Sequence, residues 1–496
     1  MARSFLPSAA KRWLYLIHRW IGVASCLLFL MWFLSGLVML YVPYPALTDR
    51  EALAGQPPID WPKVHVPPRE AEQLAGLPNQ PRAMRLEMMA GRPVWRVTGR
   101  AGELVTIDAE TATRIGAVGR AEATRIASAF SRALVAAIEA VERDQWTVAG
   151  RYDPHRPFWR AALKGPGGRA LYISSRTGAV MLDTDAHERF WNWLGAVPHW
   201  IYPTVLRQHP EGWRQVVIWV AGPCVLAAIT GIWIGLLRVR LGRRRFKDGR
   251  VTPYRGWMLW HHVAGLTGGV MLTFWIVSGW LSVDPGHFFR GEGPGEGAIL
   301  RYERAKLPPI DVPGLDAAAS RQAVRLDVVR AAGLVWLEWR SSDRRLVVAA
   351  EGGRTLPNVS RLSKAARVLV PDGAAARVTR LTAPDFYWYD VGSEPHLPVL
   401  RLRFQDSSGT WLYLDPATGA VLSRIDRRGR VYRFAYDLLH RWDAIPLVIN
   451  PHARRAWIWL FSIVGIVTSV SGILLGWRRA SRTIILRRPS GPPPPS

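Results

Sequence analysis

The sequence predicts an α-helical membrane protein with four transmembrane helices in two tandem repeats, each repeat carrying an α+β domain outside the membrane. Three observations predict this. Four apolar runs are long enough to cross a bilayer, two long segments of mixed polarity separate them, and matching pieces recur at offsets of 241 or 243 residues. About 20 residues at 1.5 Å each span the hydrocarbon. A mean hydropathy of +0.02 over 496 residues suits a few spans joined to sizeable water-exposed parts.

Residues 1–41 hold a short cytoplasmic start and the first span. The stretch "HRWIGVASCLLFLMWFLSGLVML" runs from His18 to Leu40, and beyond its first two residues it is entirely apolar, small or aromatic. Arg3, Lys11 and Arg12 precede it. The run is too long for a signal-peptide core and leads into "YVPYPAL" without a small-x-small cleavage site, so it reads as an uncleaved anchor. Residues 42–213 form the first outside domain and 214–237 the second span. The loop 238–256, with "RVRLGRRRFKDGR", is short and rich in Arg, which marks it as cytoplasmic. The third span is 257–283, the second outside domain 284–455 and the fourth span 456–477. A basic tail, 478–496, ends the chain. Both termini are then cytoplasmic, and in a bacterium the two long segments are periplasmic and the membrane is the inner one.

Net charge is +27, from 65 Lys+Arg against 38 Asp+Glu. Such a balance fits nucleic acid in general. Here it is densest beside the apolar runs, where it acts as an orientation signal, so the sequence predicts no nucleic-acid partner. The two cysteines, Cys26 and Cys224, both lie in apolar runs and cannot build a disulfide framework or a thiolate metal site. The 25 tryptophans gather near the ends of the apolar runs, as an interfacial belt does.

In the outside segments, "RPVWRVTG", "ELVTIDAETAT", "RALYISSRTGAV", "LRLRFQD" and "TWLYLDPATGAVL" alternate like strands bounded by turns. "AEATRIASAFSRALVAAIEAV" reads as helix. Gly178 and Gly419 supply turns between strands.

The repeat is the most informative signal. "LYISSRTGAV" (171–180) matches "LYLDPATGAV" (412–421), "PHRP" (154–157) matches "PHLP" (395–398), and "TGIWIG" (230–235) matches "SGILLG" (471–476), all at 241. His18 with Gly22 and Ser35-Gly36 match His261 with Gly265 and Ser278-Gly279 at 243. An axis along the membrane normal relates halves of this kind. Of 12 histidines, three pairs obey the repeat: His18 with His261, His155 with His396, and His199 with His440. His65, His187, His209, His262, His287 and His452 have no histidine equivalent.

Paired histidines brought together by a two-fold axis meet the need of a bis-imidazole haem, whose iron takes one axial nitrogen from each side. His18 and His261 open their spans from the cytoplasmic end, each with Gly four residues on along the same face. His199 ("WLGAVPHW") and His440 ("AYDLLHRW") precede the second span of each half on the outer side. His262 is an alternate ligand beside His261, about 100° away on a helix. The competing reading of a histidine near a span end is an interfacial, snorkelling side chain. For His155 and His396, flanked by prolines, a turn before a strand is the simpler reading.

Taken together, "HRWIGVASCLLFLMWFLSGLVMLYVPYPAL", "LPVLRLRFQDSSGTWLYLDPATGAVL" and "LLHRWDAIPLVIN" with "RRAWIWLFSIVGIVTSVSGILLGWRR" resemble the PepSY-associated transmembrane proteins of bacterial inner membranes. The resemblance spans nearly the whole chain. It implies PepSY-like outside domains, haem b (one or two) and, as in members that reduce ferric siderophores, histidine ligands in or near the spans. The family's span histidine maps to His18 and His261 and its "LH" to His440, while at His199 "VPHW" departs from that form.

The expected function is an inner-membrane haem-b electron-transfer protein, a reductase of a periplasmic ferric siderophore or other ferric chelate, drawing electrons from a quinol or another donor. Iron(III) held by hard oxygen donors is released on reduction. Because the hydrocarbon is about 30 Å thick, an inner haem needs the outer pair or an aromatic relay to reach a periplasmic ligand. The excess of Arg outside favours anionic chelates. The alternative is a non-catalytic PepSY module that binds or regulates a peptidase or transporter. No G-x-G-x-x-G lies between a strand and a helix, and no nucleophile–base set suggests a hydrolase.

Overall fold

The computed structural model describes residues 8–242, 245–246, 248–318, 322–352, 357–370, 376–391 and 395–485. They form two compact units.

The helical unit comprises Met1–Pro43, Trp191–Phe289 and Val431–Ser496. Three helices in it are each long and apolar enough to cross a membrane: Ser8–Met39, Pro210–Arg238 and Pro451–Ile485. A fourth apolar stretch is split into Gly256–Thr267 and Gly269–Ser282, bent by 65°. The protein is therefore a multi-pass membrane protein. The first long helix packs on the second and the last, and the broken pair packs on those same two, closing a ring. The expected single helix over 257–283 breaks because Gly268 and Gly269 stand in sequence where neighbours leave no room for side chains. A Cβ at Gly268 would lie 2.5 Å from Val464 Cγ1, and one at Gly269 3.0 Å from Ile232 Cγ1. Paired small residues are a common cause of sharp bends. Phe29, Phe33, Ala221, Cys224, Ala228 and Ile276 form a buried apolar plug midway along the ring.

The sheet unit comprises Tyr44–Phe190 and Arg290–Arg430. Its strands are β1 (Ala83–Met89), β2 (Arg92–Thr98), β3 (Leu104–Asp108), β4 (Arg114–Ile115), β5 (Val135–Val141), β6 (Phe158–Leu163), β7 (Ala170–Ser174), β8 (Val180–Thr184), β9 (Arg325–Ala331), β10 (Leu334–Arg340), β11 (Arg345–Ala349), β12 (Arg377–Leu381), β13 (Val399–Arg403), β14 (Trp411–Leu414) and β15 (Val421–Ile425). All neighbours are antiparallel. The sheets are ordered β11-β10-β9-β1-β2-β3-β4, β5-β6-β7-β8 and β12-β13-β14-β15.

The first sheet joins both halves of the chain, so Tyr44–Phe190 and Arg290–Arg430 share one unit. The junction is β1 against β9, where Arg85 faces Asp327, Leu86 faces Leu326, and Glu87 faces Arg325. The tripeptides "RLE" (85–87) and "RLD" (325–327) are thus self-complementary when laid antiparallel, with opposite charges opposed on one face. The other face buries Leu86, Trp95, Ile107, Leu326 and Trp339 in one core. Residues 191–213 and 431–455, expected outside, go with the helical unit.

The five expected strands all form. The expected helix over 121–141 does not run its length: it stops at Ser131, Arg132 turns left-handed at φ 56°, and Val135–Val141 becomes β5. The edge of the second sheet overrides helix propensity there. Gly178 and Gly419 occupy positive φ, +69° and +81°. A Cβ there would also press on Met89 Sδ at 2.5 Å and on Leu362 Cδ2 at 2.6 Å, respectively.

Candidate functional site: two histidine pairs in the helical unit

His18 and His261 meet inside the helical unit with ring centroids 6.4 Å apart. His199 and His440 meet with centroids 6.1 Å apart. The two levels are separated along the first long helix by the 17 residues from His18 to Ser35, about 25 Å at 1.5 Å per residue, with the apolar plug in between. Both pairs named from the sequence are therefore brought together.

Each imidazole is held at Nδ1, three by a backbone carbonyl and His199 by a serine hydroxyl. Nδ1 of His18 lies 3.0 Å from the carbonyl oxygen of Ala227, and Nδ1 of His261 lies 3.0 Å from that of Thr468. Nδ1 of His440 lies 3.1 Å from the carbonyl oxygen of Trp275 and 3.1 Å from Ser278 Oγ. Nδ1 of His199 lies 3.0 Å from Ser35 Oγ, which donates to the carbonyl oxygen of Trp32. A carbonyl only accepts, so Nδ1 of His18, His261 and His440 carries the proton and donates. That leaves the Nε2 lone pair free, the arrangement by which metal-bound histidines are oriented.

A Ser/Thr-Gly dipeptide in each long helical stretch cradles one ring. A Cβ at Gly231 would come within 2.7 Å of His18 Cε1, one at Gly472 within 3.2 Å of His261 Cε1, one at Gly36 within 3.2 Å of His199 Cε1, and one at Gly279 within 3.1 Å of His440 Cε1. Thr230 Oγ1 and Ser471 Oγ lie 3.5 and 3.2 Å from Nδ1 of His18 and His261. Sequence reasoning noted these dipeptides as marks of the repeat and missed them as cradles. Their recurrence in all four apolar runs was the available signal. Gly22, expected to admit a flat ring, would have nothing within 4 Å of an added Cβ, whereas a Cβ on Gly265 would sit 3.6 Å from Thr468 Cγ2.

His262 turns elsewhere: it packs edge-on against Tyr254, centroids 5.1 Å apart, and its buried Nε2 has no hydrogen-bond partner among the described residues. Ahead of His440 a π-helical turn, Arg433–Leu438, stacks Tyr436 on the His440 ring at 5.2 Å. Such turns are frequent at functional sites.

His155 and His396 belong to the sheet unit. His396 Nε2 is 3.4 Å from Asp415 Oδ1. Arg345 also pairs with Asp415, and although burial pushes that carboxyl up, the bonds from His396 and Arg345 hold it below its ordinary value. His155 is half-buried with Nδ1 unpartnered; burial, then the charges of Arg85, Arg96 and Arg176, push it down to about 4.

The family model described as PepSY-associated TM region matches residues 16–289, more than half of the chain. The chain belongs to this PepSY-associated family. The match takes in His18, His199 and His261, together with the Ser35-Gly36, Thr230-Gly231 and Ser278-Gly279 cradles. No curated protein matches the chain.

The donor set of this PepSY-associated protein suits haem better than a bare ion. Among the described residues no group of three or more His, Cys, Asp or Glu converges, as an all-protein metal site requires. Two ligands suffice when a macrocycle supplies the rest. His18 with His261, and His199 with His440, would be the residues to hold such a group, their ring centroids lying 6.4 and 6.1 Å apart.

Proposed function

We propose that this protein holds haem b between His18 and His261 and between His199 and His440, and passes electrons outward across a bacterial inner membrane to a ferric chelate. The reading includes two tandem copies of span, outside segment and span, with the broken helix as one span. The observation that carries it is the meeting of four histidines, each held at Nδ1, in two close pairs at two levels of one helical ring. Bound haem supplies one-electron transfer between iron(III) and iron(II). The chain's own residues do the rest. The carbonyls of Ala227, Thr468 and Trp275 fix ring orientation, the glycines admit the rings, and the plug of Phe29, Phe33 and Ile276 keeps water from the space between levels. A lipid-soluble quinol is the fitting donor, since the sequence offers no nucleotide-binding motif.

The test is an optical spectrum of detergent-purified protein, air-oxidised and then dithionite-reduced, with haem quantified per chain. Sharp bands of six-coordinate low-spin haem b, near two per chain and falling to one in His18→Ala or His440→Ala, are expected. Colourless protein from haem-replete cells overturns the reading in favour of a non-catalytic module.

A further inference from the structure

We propose that the face of sheet β12–β15 turned away from its leucine core is an anion-binding surface for a chelate whose donors are phenolate or carboxylate oxygens. The proposal names the substrate class of the electron-transfer reading above and rests on it for the iron, not for the site.

Leu400, Leu402, Leu412 and Leu414 enter the core on one face. The alternate residues therefore share the other face. Register places Arg403 opposite both Arg377 and Trp411, and Arg401 opposite both Thr379 and Tyr413. Like charges directly opposed, as at Arg377 and Arg403, are destabilising unless something negative lies over them. The guanidinium carbons of Arg401, Arg403 and Arg430 lie 5.2, 4.4 and 4.4 Å from the centroid of the one Trp411 ring. Arg427 joins them, since a Cβ at Gly409 would sit 3.1 Å from Arg430 Nη2 and 3.8 Å from Arg427 Nη2.

Among the described residues, the Asp426 carboxylate acts on Arg430 through space. Arg401 pairs with Asp385, and Arg430 donates to the carbonyl oxygen of Gly409 at 2.7 Å. Among the described residues Arg403, Arg427 and Arg430 form no ion pair, and Nε of Arg403 is buried without a partner. Arginine clusters of this kind recognise oxyanions through charge-assisted bonds. Aromatic side chains lie over part of this face: Tyr387 stands edge-on to Trp411 at 5.0 Å, and Trp388 stacks on Tyr413 at 4.7 Å. Arg401 and Tyr413 are thus buried, while Arg403 and Arg430 are half-buried and Arg377 and Arg427 exposed at the rim. Guanidinium groups set among aromatic rings suit an anion carried on a ring.

The corresponding sheet of the first half shows that the fold does not need the cluster. At the 241-residue offset Arg403 becomes Ala162 and Trp411 becomes Ala170, while Arg160, the counterpart of Arg401, is paired with Glu139 at 2.6 Å.

The test is isothermal titration of the full-length protein in detergent with the gallium(III) tris complex of 2,3-dihydroxybenzoate, which binds but cannot be reduced. Saturable binding is expected, weakened at least tenfold in Arg403→Gln/Arg430→Gln, largely kept in Arg403→Lys/Arg430→Lys and unchanged in Arg160→Gln. A neutral gallium(III) trihydroxamate is expected to bind at least tenfold more weakly than the anionic complex. Equal binding by the glutamine variant, equal binding of the neutral complex, or displacement by equimolar inorganic phosphate overturns the proposal. Binding retained by haem-free protein separates this site's success from failure of the electron-transfer reading.

Discussion

The indole N–H of Trp275 donates to the backbone carbonyl of His440 at 2.8 Å, and His440 returns the contact by placing Nδ1 3.1 Å from the carbonyl oxygen of Trp275. Trp32 makes the matching indole bond to His199 at 3.0 Å. The imidazoles of His199 and His440 are thus pinned by residues of the apolar helices, at both backbone and ring in the case of His440. Trp275→Phe keeps the apolar bulk and removes the donor, a loss of about 1 kcal/mol. In a redox titration of the haem-loaded protein, one of two components is expected to shift while the other stays fixed. A shift of both, or of neither, contradicts a role for Trp275 confined to the His199–His440 level.

The glycines give a contrasting pair. Gly231→Ala forces a methyl to within 2.7 Å of His18 Cε1, so the ring must move. Gly22→Ala meets nothing within 4 Å and replaces a helix-interior glycine, a gain of about 0.5–1 kcal/mol for the protein without haem. Gly231→Ala is expected to lower haem content with little change in expression. Gly22→Ala is expected to raise the unfolding temperature of haem-free protein, and to lower haem content if the macrocycle uses that space.

His155 makes the sheet unit sensitive to mild acid. In the unfolded chain it titrates near 6.5, whereas in the folded protein it resists protonation until about 4. Between those values the unfolded state binds a proton that the folded state does not. Stability therefore falls as pH drops from about 6.5 to about 4, by at most about 1.4 kcal/mol per pH unit. Above 6.5 the group contributes nothing. Asp415 acts only at lower pH, because its contribution is complete above the unfolded value of 3.8. Denaturant unfolding at pH 7, 5.5 and 4.5 is expected to show a shallower loss for His155→Gln than for the unmodified chain.

Glu87 and Arg96 form a buried ion pair, and Arg96 also donates to the carbonyl oxygen of Thr177. Arg96→Leu leaves Glu87 with the more exposed Arg85, 3.2 Å away, and with Arg325 opposite it on β9, and is expected to cost about 3 kcal/mol. Glu87→Leu/Arg96→Leu is expected to recover much of that, since removing both charges spares the desolvation penalty. A double-mutant cycle on unfolding free energy checks both numbers. An additive cycle means the pair is not coupled.

The apolar runs and the histidine pairs were legible because each is carried by a strong periodic or repeated signal. The family also read correctly, and of the stretches that carried the resemblance "HRWIGVASCLLFLMWFLSGLVMLYVPYPAL" lies within the matched residues 16–289. Less visible was anything set by a partner distant in sequence. The Ser35-Gly36 dipeptide means little until His199 lies on it, and "RLE" at 85–87 means little until "RLD" at 325–327 runs beside it. Helix propensity over Val135–Val141 lost to a sheet edge that only β6 creates. The break at Gly268 depends on Val464, nearly two hundred residues on.

The pairing of β1 with β9 has a consequence for how the chain is made. Ribosomal synthesis delivers β1 some 240 residues before its neighbour, with two apolar stretches to be inserted in the interval. For all that time β1 presents an open edge with Leu86 and Met84 uncovered, the kind of edge that invites pairing with another chain. Closing so long a loop is slow, and nascent first halves are exposed to misassembly while they wait. The second half is in this sense the first half's chaperone, and a chain cut after Arg250 is expected to aggregate through β1 rather than fold as half a protein.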